Sequence, residues 1–290
     1  MAASRTLVVA LAVAALAATP AEAQAPRSPH FLAKQCNEDA IAVRVDPRRL
    51  QEHVGSAFSL VLEEGRARVL IVVHDCAQYW MDGEDVGPTQ ETQIWVLIHG
   101  LEDVRPVIGA ERTLPTRTWF SLFSGSNNPR VREAKGAAGT AQASIEGVVL
   151  DRPGPRRGGR LSLSRNLEYS WTAVSATPAV RLLGMNFDVF VRDAAGNVAL
   201  NRIQALLRIV AANSPGTLNV AGDTDLLPLI PPGTYEASVQ TFFPMWSRAT
   251  LGLPPSPGAT VPTDDEPAAP PAQRRAYTVL LPCRSNARIS

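Results

Sequence analysis

Amine chemistry has two possible owners in this chain. Among its 28 lysine and arginine residues only Lys34 and Lys135 are lysines. A mechanism that needs a side-chain amine as nucleophile must use one of them. Lys135 lies in Arg132-Glu133-Ala134-Lys135-Gly136, near the end of a predicted helix. Taken alone, that position suits an exposed lysine favoured by the helix dipole. The thiols are Cys36, Cys76 and Cys283. They form no CxxC pair, which disfavours thiol-redox chemistry and a cysteine zinc site. The histidines are His30, His53, His74 and His99. His74 and His99 each finish a predicted strand, and antiparallel neighbours would hold them at opposite edges of a sheet. In His74-Asp75-Cys76 successive side chains face opposite ways, so that run does not ligate one ion. No metal site is expected. Ser121, Ser124 and Ser126 lack the GxSxG setting of a nucleophilic serine and read as a strand end entering a turn. GxGxxG, GxxxxGK[ST] and HExxH are also missing, so no cofactor is expected. Arg152, Arg156, Arg157 and Arg160 form a basic Pro/Gly-rich segment that reads as a solvated loop.

These side chains depend on strands and short helices for their placement. Gln24 to Gln35 reads as a loose leader and Ile41 to Val45 as a strand. Asp46-Pro47 opens a helix reaching about Val54: an aspartate caps free amides and proline suits the first helical position. Arg66 to His74 is the clearest strand. Its Val69-Leu70-Ile71-Val72-Val73 run is apolar on both faces, which places it in the centre of a sheet. Cys76 follows as a candidate buried thiol. Asp82-Gly83 signals a hairpin turn. Glu91 to His99 predicts a strand with Ile94, Val96 and Ile98 on one face and Trp95 and Leu97 on the other. Thr116 to Phe123 is another strand, and Asn128-Pro129 starts a helix ending near Gly136 or Gly139. Further strands are expected at Ala143 to Leu150, Arg160 to Leu163, Glu168 to Ala173, Phe187 to Arg192, Val198 to Ala211 and Thr234 to Phe243. Turns separate them at Asp193-Ala194-Ala195-Gly196 and Ser214-Pro215-Gly216. The tryptophans Trp80, Trp95, Trp119, Trp171 and Trp246 suit core filling first and the lining of a ligand cavity second.

Regularly spaced strands with two or three short helices predict a β-rich α+β fold. It should be mainly antiparallel, as a barrel-like or double-layered sheet. Residues 1–23 read as a secretory signal: Arg5, an apolar Thr6 to Ala18, Pro20, and a small-x-small cleavage site at Ala21-Glu22-Ala23. The apolar run is shorter than the ~20 residues of a membrane span, and no membrane-spanning segment is expected. Residues 24–253 then form the domain. Residues 254–275 are a linker with seven prolines, extended in character. Residues 276–290 carry a last strand, Tyr277 to Leu281, that returns to the domain. The expected address is the periplasm or the cell exterior. There three thiols leave one disulfide and one free cysteine. All three pairings are open, with Cys36–Cys283 preferred because it fastens the two ends of the processed chain, worth roughly 4–5 kcal/mol. A formal net charge of +1 argues against a nucleic-acid partner. A 45% hydrophobic content argues against a disordered chain.

One further pattern spans Ala40 to His99. Val43-Arg44-Val45-Asp46-Pro47-Arg48-Arg49-Leu50 leads to an acidic turn. Arg68-Val69-Leu70-Ile71-Val72-Val73-His74-Asp75 follows, then Asp82-Gly83, Gly87-Pro88 and an apolar strand. Together with Phe123 to Gly139 and its Asn128-Pro129, this resembles the acetoacetate decarboxylase-like family. The resemblance implies a double-layered, barrel-like fold with a largely apolar internal pocket. It also implies a Schiff base between a lysine and a β-keto acid, which needs a neutral amine. Carried onto this chain, the amine is Lys135 and the acidic pocket residue is Asp82, before Gly83. The family's adjacent lysine pair is missing. The reading that follows is an exported protein that binds a small hydrophobic or carboxylated molecule in its interior, without Schiff-base catalysis. The alternatives are an active decarboxylase using Lys135 with Asp82, and a non-catalytic envelope interaction module with the proline-rich segment as spacer.

Overall fold

Long runs of β-branched and aromatic residues set the architecture. The computed structural model describes residues 28–100, 103–140, 142–151, 156–174, 181–192, 196–222 and 230–253. The chain opens with β1 (His30–Val45), α1 (Pro47–Val54), the short β2 (Leu62–Glu63) and β3 (Arg66–Met81). Next come the short β4 (Glu84–Asp85), β5 (Thr89–Leu97), the short β6 (Arg112–Thr113) and β7 (Arg117–Ser126). After α2 (Pro129–Ala137) come β8 (Gln142–Asp151), β9 (Arg156–Leu163) and β10 (Leu167–Val174). The last strands are β11 (Arg181–Arg192), β12 (Val198–Ala221) and β13 (Gly233–Leu253). The result is the expected β-rich fold, mainly antiparallel with two short α-helices.

All the strands join one hydrogen-bonded sheet, in which β7-β5-β3-β1-β13-β12 forms a continuous wall. β3 sits between β1 and β5, as its two apolar faces require. Side chains alternate across this wall. Ile41, Val43, Val69, Ile71, Val73, Ile94 and Val96 enter one core. Ala40, Val72, Trp95 and Leu97 enter a second. The sheet then closes on itself twice. On the first side β8, β9 and β10 lead round to the far part of β12, and Leu161, Leu163, Tyr169, Trp171 and Leu218 fill the space. On the second side β11 bridges β12 and β7, and Val189, Ala205, Leu207 and Phe242 fill it. The two layers share one wall, so the arrangement is barrel-like on both sides.

Local chemistry explains the ends of the elements. Asp46 Oδ1 accepts from Arg48 N–H at 2.9 Å and caps α1, with Leu50 and Val54 fully buried. Five expectations need correction. The basic segment is not a loop as far as Gly159, since β9 begins at Arg156 and pairs with both β10 and β8. The segment before Gln35 is not a loose leader throughout, since β1 begins at His30. β3 does not stop at His74 but runs on to Met81. Because of that extension Cys76 stands directly opposite Cys36 on β1. The disulfide joins these two cysteines, not Cys36 and Cys283. Finally, Ser214-Pro215-Gly216 bends β12 without ending it. Here β12 leaves β11 and joins β10, and irregular pairing around Ala211 and Ser214 accommodates the proline. A Cβ at Gly216 would lie 2.1 Å from the Thr172 carbonyl oxygen, so only glycine permits the approach.

The signal at 1–23, the proline-rich segment at 254–275, the strand at Tyr277 to Leu281 and Cys283 lie outside the described residues. So do Arg152 and most of the turn at 193–196. Among the described residues no helix is long and apolar enough to cross a membrane.

Candidate functional site

The site is built around α2, which crosses over between the parallel strands β7 and β8. Asn128 Oδ1 accepts from Arg130 N–H at 3.0 Å and Val131 N–H at 3.4 Å, and Pro129 takes the first turn. Arg132 Nη1 donates to the Ser126 carbonyl at 2.7 Å, which ties the helix back to β7. Thr140 N–H donates to the Lys135 carbonyl just beyond the C-terminal end. Val131 and Lys135 are four residues apart and share the inward face. Val131 packs with Phe31, Tyr79, Leu251 and the Cys36–Cys76 disulfide.

Lys135 is therefore inside the protein, at 5% exposure, not on its surface as a helix-terminal lysine would be. Its Nζ forms an ion pair with Glu91 Oε1 and lies 5.7 Å from the centre of the Phe31 ring. Glu91 is buried as well, at 3% exposure. Tyr79 Oη donates to Glu91 Oε2 at 2.8 Å, and Gln93 Nε2 donates to Oε1. Burial pushes the Lys135 ammonium down to about 7, because a charge is poorly solvated there. The same burial pushes the Tyr79 hydroxyl up, so it keeps its proton and remains a donor. The site thus holds an amine whose charged form is disfavoured by burial, with the Glu91 carboxyl group fixed beside it.

A cavity of about 20 Å³ adjoins the amine, room for about one or two water molecules. It lies on the second side of the wall, among Gln93, Trp95, Val189 and Ile203. Glu91, Gln93 and Trp95 share a face of β5 by simple alternation. Ser121 and Ser124 also line the cavity, although three residues apart on one strand they should face opposite ways. A bulge resolves this. Trp95 pairs with Ser121 and Ile94 with Phe123, which leaves Leu122 as the extra residue. Ser124 Oγ is buried and has no hydrogen-bond partner among the described residues.

Asp82 is not brought to Lys135. It occupies an exposed turn with positive φ of 51°, and its Oδ1 accepts from His30 N–H at 2.8 Å. The carboxylate beside the amine is Glu91, which the sequence reading treated only as the start of a strand. The available signal was an acidic residue on the same face as Trp95 and Leu97. Of the other candidates, His74 Nδ1 is 3.0 Å from Glu38 Oε2 and His99 is exposed. Among the described residues no group of three or more His, Cys, Asp and Glu side chains could hold a metal ion. Trp95 lines the cavity and the Trp119 ring lies tilted against the Trp95 ring with 6.1 Å between centres, whereas Trp171 is a core residue that donates to Asp39 Oδ2 at 3.0 Å. The other lysine, Lys34, is exposed with its Nζ 5.1 Å from the Trp80 ring centre. A larger open cleft of about 740 Å³ borders α1 and carries Arg44, Arg48, Arg49 and Arg66. It shares no lining residue with the Lys135 cavity.

No family model matches the chain, and no curated protein matches it. Several solved structures are similar to it at low identity. An acetoacetate decarboxylase-like enzyme from Sphingomonas wittichii RW1 is 10% identical, with TM-score 0.48, over 79% of this chain and 93% of the other. The enduracididine biosynthesis enzyme MppR is 13% identical, with TM-score 0.46, over 79% of this chain and 87% of the other. The acetoacetate decarboxylase of Legionella pneumophila is 12% identical, with TM-score 0.42, over 78% of this chain and 89% of the other. The resemblance is loose at these values.

Proposed function

We propose that Lys135 is the nucleophile of an imine-forming site acting on a small carbonyl compound. The observation that carries this reading is a buried lysine, lowered to about 7 and paired with a buried carboxylate, at the edge of an internal cavity. Glu91 takes the ammonium proton, which frees the Nζ lone pair to attack the carbonyl carbon. The proton returns from Glu91 to the carbinolamine oxygen, water leaves, and the C=N bond forms. Tyr79 and Gln93 keep the carboxylate aimed during both transfers. The protonated imine then draws electrons from the adjacent carbon. With a β-oxo acid the resemblance implies loss of CO2, leaving an enamine that takes up a proton. Ala134 and Gly136 flank Lys135, so burial alone, and no neighbouring lysine, lowers this amine.

The missing neighbour lysine and the small cavity favour one other reading, a binder of a small hydrophobic or carboxylated molecule that performs no chemistry. A panel of acetoacetate, pyruvate, butanone and propanal, each followed by borohydride reduction and peptide mass spectrometry, separates the two. The imine reading requires a reduced adduct on Lys135, lost in Lys135→Arg. Thermal stabilisation by a panel member without any adduct on Lys135 establishes the binder instead. In either case the chain is read as exported. The apolar segment after Arg5 and its small-x-small site support that address, and the Cys36–Cys76 disulfide is compatible with an oxidising compartment.

A further inference from the structure

The charge balance of the Lys135 cavity narrows its substrate, given the imine reading on which this inference rests. Among the described residues Lys135 is the only cationic side chain in the lining, and Glu91 already compensates it. The remaining polar liners, Gln93, Ser121, Ser124, Thr140 and Asn201, are uncharged. A substrate carboxylate would bring a second negative charge into this space with no second cation to meet it, and an unpaired buried charge is strongly disfavoured. An uncharged carbonyl compound keeps the site neutral at every stage. The amine and the carbonyl are neutral while the Glu91 carboxyl holds the proton, and the later iminium faces the Glu91 carboxylate. Ser124 Oγ adds a second, independent observation. It is 2% exposed, lines the cavity and has no hydrogen-bond partner among the described residues. A buried hydroxyl of this kind is costly unless something accepts or donates there.

We propose that the site takes a short-chain aldehyde or ketone without a carboxylate, whose carbonyl oxygen accepts a hydrogen bond from Ser124 Oγ. The apolar wall of Trp95, Val189 and Ile203 suits carbon atoms beside the carbonyl, and because the cavity is small these side chains must move apart as the carbon chain enters. The covalent step is condensation. The Nζ lone pair forms the C–N bond, the carbonyl oxygen leaves as water with two protons that started on Nζ, and no oxidant or reductant takes part. In the test below borohydride supplies the hydride that converts C=N to a stable secondary amine.

The experiment compares butanone with pyruvate on the full processed chain at neutral pH, each trapped with borohydride. The adduct on Lys135 is expressed relative to that on Lys34 in the same digest, which cancels the intrinsic reactivity of each carbonyl. The proposal expects a ratio at least about tenfold higher for butanone, the effect of about one decisive polar interaction. It also expects Ser124→Ala to lower the butanone ratio by about tenfold. Equal or better trapping of pyruvate overturns the proposal and leaves the imine reading intact. Unchanged butanone trapping in a folded Ser124→Ala protein overturns the role of the hydroxyl. Absence of any Lys135 adduct overturns the imine reading and this proposal together. The ligand comparison needs only the native protein, so it stands even where the variant fails to fold.

Discussion

Replacing Lys135 with methionine turns the burial of one amine into a measurable slope of stability against pH. Methionine keeps the length of the side chain and removes its titration. An ordinary lysine in the unfolded chain has a value of 10.5, and the folded value is about 7. Between these two values the unfolded state binds the proton and the folded state does not. Native stability therefore rises with pH across this window and falls as pH drops from 10.5 towards 7. One pH unit corresponds to about 1.4 kcal/mol, so the window is worth on the order of a few kcal/mol. The assay is urea unfolding of native protein and Lys135→Met at intervals from pH 7 to pH 9.5, with the disulfide intact. Groups distant from Lys135 largely cancel in the difference, whereas Glu91 touches it, so the same pair of proteins is also compared in a Glu91→Gln background. The native protein should lose roughly 1 kcal/mol relative to the variant for each unit of acidification in the middle of the window, and less close to pH 7. A difference independent of pH would mean that Lys135 titrates alike in both states. A native protein that gains stability as pH falls would mean that Glu91 outweighs burial and holds the proton on Lys135. Either result refutes the reasoning from desolvation.

Two other predictions follow from the scaffold. The Cys36–Cys76 bond spans 40 residues, worth about 4 kcal/mol in the chain-entropy model. Reduction should therefore lower Tm by about 10 °C in calorimetry, and a peptide map should show Cys36 linked to Cys76. A Cys36–Cys283 crosslink in that map would contradict the register of β1 and β3. Asn128→Ala removes the side-chain acceptor from the start of α2 and should cost about 1 kcal/mol in denaturant unfolding. An unchanged midpoint would show that the cap does not hold the helix.

The parts of the fold that were legible in sequence are those set by local pattern. The Val69 to Val73 run announced a central strand because both its faces are apolar, and Asp46-Pro47 and Asn128-Pro129 announced helix starts by their capping chemistry. What depended on long-range register was hidden. Cys76 meets Cys36 only because β3 continues past the polar His74-Asp75, which masks its strand character. Ser121 and Ser124 share a face only because Leu122 bulges, and no composition rule marks that residue. The burial of Lys135 was hidden for a related reason. α2 is nine residues long, and its buried face is only Val131 and Lys135, too few positions for an amphipathic pattern. Glu91 was visible as a residue but not as a partner, since Lys135 lies 44 positions away and reaches it only through the crossover of α2.

With two lysines in the chain, selective carbon-13 labelling at Cε leaves two lysine signals to follow by NMR, and Lys135→Met identifies one of them. Titrated from pH 5 to pH 11, the Lys135 signal should pass its midpoint near pH 7, in the folded protein only. A midpoint near that of an ordinary lysine, about 10.4, would contradict the account of a buried amine made reactive by its surroundings.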